Sequence, residues 1–132
     1  MNAVCRLALA IGYPQEVPAD SADFTFRVDD GGIRAVDLGK RLVLLREISK
    51  EEDGLLRLAS HSAGRILREN AVLYWDGRIG AAVLSQEIPA SAPDHELKTS
   101  FETFADSCDW WIERTKAAPV DATSFPEMVI RP

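Results

Sequence analysis

Apolar residues along this chain change period several times, and each change marks an element. Asn2 to Ile11 suits a short helix, closed by Gly12 and followed by Pro14, the usual stop punctuation. Gln15 to Asp23 is a connector. Phe24-Thr25-Phe26-Arg27-Val28 then alternates cleanly, which places Phe24, Phe26 and Val28 on one face of a strand. Asp29-Asp30-Gly31-Gly32 is a turn signal, Ile33 to Leu38 a second strand, Gly39-Lys40 a turn, and Arg41 to Ile48 a third strand. Three strands joined by tight turns predict an antiparallel meander.

The period then lengthens. Ser49 is a good N-cap and Glu52 completes a capping-box pattern. Leu55, Leu56, Ala59, Ala63, Ile66 and Leu67 supply the apolar face of a helix that ends at Asn70. Gly64 in its interior costs about 1 kcal/mol relative to alanine, and the small residues around it permit close approach of a neighbouring element. Val72 to Trp75, the turn dipeptide Asp76-Gly77, and Ile79 to Ile88 read as a β-hairpin. From Asp94 to Lys116, Leu97, Phe101, Phe104, Cys108, Trp111 and Ile112 recur at helical spacing, with Pro119 beyond. The expected fold is α+β, in the order α-β-β-β-α-β-β-α, with a mostly antiparallel five-stranded sheet. Residues 1–117 form one domain and 118–132 a loosely held tail.

Two strands carry apolar residues on both sides. Leu42, Leu44 and Ile48 oppose Val43 and Leu45 in the third, and Ile79, Ala81 and Val83 oppose Ala82, Leu84 and Ile88 in the fifth. A half-exposed antiparallel sheet normally has a polar outer face. Either a partner covers the surplus, or the tail does, through Phe125, Met128, Val129 and Ile130.

At 132 residues, 46% apolar and 27% charged, the chain has the size and composition of one globular domain rather than a disordered segment. Its net charge of −6 and scattered basic residues oppose nucleic-acid binding. Cys5 and Cys108 lie in apolar helical patterns outside any C-x-x-C pair and read as buried free thiols, which points to a reducing compartment. Val4 to Ile11 is too short to span a membrane and lacks the order of a secretory signal, so the expected location is cytoplasmic.

No pattern here carries chemistry. Ser60-His61-Ser62 has no nucleophile elbow, and adjacent side chains on a helix diverge. His61 and His95 stand in no metal-ligand spacing. Asp29-Asp30-Gly31-Gly32 lacks both the alternating ligands of a calcium loop and the Gly-Lys-Ser/Thr of a phosphate loop. The chain reads as a binding protein, not an enzyme, with neither cofactor nor metal expected. Trp111 belongs to the apolar stripe of the last helix. Trp110, about 100° around it, belongs to the stripe's margin, partly buried or open to an interface.

Several local patterns resemble the class I type III secretion chaperones, the Tir-chaperone-like family. They are Ala10-Ile11-Gly12-Tyr13-Pro14 ending the first helix, the three-stranded segment Phe24 to Ile48 with its acidic turn, and the Leu-rich helix from Leu55 to Asn70. The Ile88-Pro89 step after the hairpin and the aromatic last helix with Phe101, Phe104 and Trp111 complete the set. The resemblance covers residues 1–117. It implies a bacterial cytoplasmic homodimer that binds the N-terminal region of a secreted effector and keeps it extended and secretion-competent without nucleotide. On that basis Leu7, Phe24, Phe26, Val43 and Leu45 are candidate cargo contacts, and Leu56, Ala59, Ala63, Leu67, Val72 and Tyr74 a candidate dimer seam. The alternative is an adaptor or regulatory domain of the same fold that recognises a folded partner.

Overall fold

The computed structural model describes residues 1–28, 31–52 and 71–124, with side chains in the last helix described through Thr115. Within those residues the chain forms α1 (Ala3–Ile11), β1 (Asp23–Val28), β2 (Gly31–Asp37), β3 (Arg41–Ser49), β4 (Val72–Asp76), β5 (Ala81–Pro89) and α2 (Asp94–Ser124). The helix expected over Leu55 to Asn70 lies outside the described residues, and so do Asp29 and Asp30.

Local chemistry explains where α1 begins and ends. The Asn2 side chain accepts from the Cys5 N–H at 2.9 Å, a proper N-cap. At the other end Gly12 adopts the left-handed conformation, Gly12 N–H donates to Leu9 O, and Tyr13 N–H to Ala8 O. That pair of bonds is a Schellman motif, which satisfies two end carbonyls and turns the chain sharply.

The five strands pair antiparallel in the order β1-β2-β3-β5-β4. The meander and the hairpin therefore meet through β3 and β5. These are the two strands with apolar residues on both sides. The shorter β4 is left at one edge and β1 at the other. The β4–β5 turn is longer than the Asp76-Gly77 dipeptide alone predicts. Residues 77–80 form it, Gly80 N–H returns to Asp76 O at 2.9 Å, and Ile79 is half exposed in the turn rather than in β5. Gly80 takes φ +65°, a conformation glycine adopts without steric cost.

Register divides the sheet into two unlike faces. Phe24, Phe26, Ile33, Ala35, Leu42, Leu44, Ile48, Leu84, Ile88 and Leu73 face inward, where they pack with Val4, Leu7 and Ala8 of α1 and Leu97, Phe101, Phe104, Cys108 and Trp111 of α2. Both described helices thus lie on one face. Arg46 is also buried on this inner side, with its guanidinium close against Gly31 of β2, where a Cβ would make it shift. The helices are tied together by Arg6, which forms an ion pair with Asp94 at 3.0 Å and donates to the carbonyls of Ala90 (2.8 Å) and Ala92.

Pro119 does not end α2, which runs on to Ser124. A proline removes its own N–H and crowds the preceding turn, yet residues after it can still hold helical dihedrals. Cys5 and Cys108 are both buried and outside any disulfide, as their apolar surroundings in the sequence predict. Trp111 is a core residue, and Trp110 is partly buried beside it with the Arg114 guanidinium 4.8 Å from its ring centre.

Candidate binding surfaces

The outer face of the sheet is where the strand surplus goes. Successive rows read across the strands as Val36 opposite Val43, Arg34–Leu45–Ser85–Val72, and Glu47–Val83–Tyr74. Val36, Val43 and Leu45 are half buried, Ala81 and Val83 are buried, and Val72 and Tyr74 are 59% and 38% exposed. Aliphatic residues therefore recur across this face; they are buried on β5 and open only at β4. Two ion pairs border it: Arg34 with Asp23 at 2.5 Å and Arg41 with Glu87 at 2.6 Å. Hydrogen bonding to Arg34 holds the Asp23 carboxyl below the usual carboxylate range, against a small opposing effect of burial.

A second surface lies around the first helix. Met1, Cys5, Leu9, Tyr13 and Val17 line an open groove of about 440 Å3 between α1 and the connector, and Leu9 is 68% exposed at its lip. The Cys5 thiol donates to the Pro18 carbonyl at 3.3 Å. Tyr13 forms one wall and packs edge-on against Phe26 (4.9 Å) and Phe24 (5.9 Å). Phe26 in turn meets Phe101.

The five candidate cargo residues do not form one patch. Val43 and Leu45 are on the outer face, whereas Phe24, Phe26 and Leu7 belong to the inner side. Leu7 and Phe26, expected as surface contacts, are fully buried. The alternation that sets Phe24 and Phe26 on one side of β1 sends that side toward the helices. Only Phe24, at the sheet margin, keeps part of its ring accessible. Of the candidate seam, Val72 and Tyr74 lie together on the exposed side of β4, while Leu56, Ala59, Ala63 and Leu67 lie outside the described residues.

Sequence reasoning overlooked Tyr13 and Leu9, which shape the groove. The available signal was the residue after the helix-closing glycine, since a Schellman turn commonly brings that side chain back onto the fold. Among the described residues no group of three or more His, Cys, Asp or Glu is placed to hold a metal ion, and no helix is long and apolar enough to cross a membrane.

No family model matches the chain, and no curated protein matches it in sequence. Solved structures do. A chain in the structure of the HopA1–SchA chaperone–effector complex superposes with TM-score 0.67 at 16% identity, covering 84% of this chain and 91% of that one. A chain in the crystal structure of the ExsC–ExsE complex gives TM-score 0.65 at 17% identity, covering 84% and 89%. At such identity the likeness is one of fold. The fold this chain carries is the one its local patterns pointed to, that of the class I type III secretion chaperones.

Proposed function

We propose that this protein is a bacterial cytoplasmic export chaperone. It binds an extended N-terminal segment of a secreted effector and works as a homodimer, without catalysis or cofactor. The observation that carries this reading is the two-faced sheet. Both described helices pack on one side, and the other side carries aliphatic residues bordered by ion pairs, half-buried at Val43 and Leu45 and exposed at Val72. Burying such residues contributes about 25 cal/mol per Å2 before association costs, so partner chains are favoured occupants. The shared fold with a chain from a chaperone–effector complex supports the same conclusion.

In this reading Val43, Leu45 and Phe24 meet cargo directly, and Leu7 and Phe26 hold Phe24 and α1 in place from beneath. Val72 and Tyr74, with Leu56, Ala59, Ala63 and Leu67, supply the seam between two copies. The test is solution mass and protease protection after co-expression with disordered N-terminal segments of secreted proteins. The chaperone reading expects a dimer that shields an extended peptide. A stable monomer that shields nothing refutes it, and binding that requires a folded partner favours the adaptor.

A further inference from the structure

The first turn of α1 is bonded into a closed ring with two loops. Asp37, at the end of β2, places one carboxylate oxygen on each of two backbone donors. Its Oδ2 accepts from Ala3 N–H at 3.2 Å, and its Oδ1 from Gly39 N–H at 2.8 Å. Gly39 belongs to the β2–β3 turn, and the carbonyl of Lys40 beside it accepts from Ala90 N–H at 2.9 Å. Ala90 O in turn accepts from Arg6 at 2.8 Å, and Arg6 stands about one turn of α1 beyond Ala3. The ring therefore runs from α1 through Asp37, the β2–β3 turn and the β5–α2 connection to Arg6, and so back to α1.

This ring holds a helix that needs holding. The first N–H groups of a helix have no partner within it, and a carboxylate there also meets the positive end of the helix dipole. Hydrogen bonds to a charged group are stronger than those between neutral ones. Nine residues are too few for a helix that persists alone in water, and of the buried side chains of α1 only Val4 and Leu7 are sizeable aliphatics, beside Ala3, Cys5 and Ala8. The far end of α1 is built to turn. Gly12 sits at φ +70°, where glycine has conformational freedom, and Tyr13 just beyond is fixed edge-on against Phe24 and Phe26.

We infer that Asp37 and Arg6 act as a clasp, and that α1 opens from the sheet as a hinged unit about Gly12 when the clasp releases its first turn. Cys5, Ala8 and Leu9 line the open groove on the α1 side, Val17 and Ala19 line it on the connector side, and Asp37 does not touch it. Releasing α1, together with the Asn2 bond to Ser21 O, parts those two sides. Asp37 is thus a positioning residue, through which the β2–β3 turn sets the width of a groove it takes no part in lining. The clasp goes beyond the proposed export function and holds whatever the groove contains.

Amide hydrogen exchange on the full chain, followed by NMR, tests the clasp. The amides of Leu7, Ala8 and Leu9 are expected to exchange through an opening that leaves the strands paired. Their rates should therefore rise less steeply with urea than those of Leu44 in β3 and Leu84 in β5. Asp37→Asn keeps the shape and removes the charge, and should speed the α1 amides about tenfold. Val83→Ala, on the outer face of the sheet, should speed the Leu44 and Leu84 amides and leave those of α1 unchanged, because the opening of α1 does not uncover Val83. Equal urea slopes, α1 amides that follow Val83→Ala, or α1 amides indifferent to Asp37→Asn would each overturn the clasp. None of these measurements uses a partner. The clasp can therefore fail while an effector segment still binds, and it can stand where none does.

Discussion

The two edges of the sheet are built to opposite specifications. At β1 the backbone is hydrogen-bonded at both ends by hydroxyls, Phe26 is fully buried, and the outer side is polar, with Thr25 and the Asp23–Arg34 pair. At β4 the strand is five residues long, only Leu73 is counted against the core cluster, and Val72 and Tyr74 stand exposed on the outer side. Exposed apolar side chains on an edge strand favour cover by a neighbour. The comparison teaches that one edge is capped by the molecule's own side chains while the other carries exposed apolar residues.

The largest expected effect is on the β1 side. Phe26→Ala removes a ring that meets Tyr13, Phe24 and Phe101 inside the core, and should destabilise the fold by about 3–5 kcal/mol in chemical denaturation. Leu73→Ala, from a half-buried position on β4, should cost clearly less. Equal losses at the two positions would break the contrast, because both edges would then be equally anchored. Arg6→Ala comes next. It leaves the Ala90 and Ala92 carbonyls and Asp94 without their charged donor, and should cost about 2 kcal/mol by the same measurement.

Much of this arrangement was legible from pattern, and the reasons are local. Asn2 and Gly12 bracket α1 by their capping chemistry, alternation at Phe24 to Val28 reports the inward face of β1, and two-sided apolarity at Val43 and Leu45 reports that β3 is interior. The burial of Leu7 and Phe26 was not legible as such, because periodicity says which residues share a face and not which face is covered. Nor does spacing reveal that Phe24 and Val43 lie on opposite sides of one sheet; that depends on register between strands. Arg46 illustrates a further limit. Its guanidinium lies against Gly31 in β2, fifteen residues earlier, a proximity set by strand register rather than by local spacing. Helix α2 passes Pro119 because proline forbids one hydrogen bond and not the dihedrals of the residues that follow.

At β4 the expected effect falls on assembly rather than folding. Val72→Asp with Tyr74→Asp alters exposed side chains, so the midpoint of denaturation of a dilute sample should move little, within about 0.5 kcal/mol. Solution mass should fall from dimer to monomer, since two carboxylates per copy would be desolvated in an apolar seam. The matching change on β1, Thr25→Asp, should leave the mass alone. Were Thr25→Asp to separate the copies and the β4 pair to spare them, the roles of the two edges would be reversed.

The smallest effect separates the edges by pH. Each side has an exposed carboxylate lowered by an arginine: Asp23 by hydrogen bonding to Arg34 beside β1, and Asp76 by hydrogen bonding to Arg78 in the β4–β5 turn. A carboxyl whose pKa is lower folded than unfolded binds fewer protons in the native state. Its stabilisation is therefore complete above the ordinary carboxylate value and is lost as pH falls through the lower folded one. Both pairs are solvent-screened, so each contributes little. The Asp23–Arg34 pair joins two strands, whereas Asp76 and Arg78 are two residues apart in one turn. Only the former crosses strands, so Asp23→Asn should flatten the acid limb of the stability profile below about pH 4 slightly more than Asp76→Asn does. Equal flattening would mean that Arg34 holds β1 no more firmly than a turn holds itself. The security of that edge would then rest on Phe26 and the two hydroxyl caps alone.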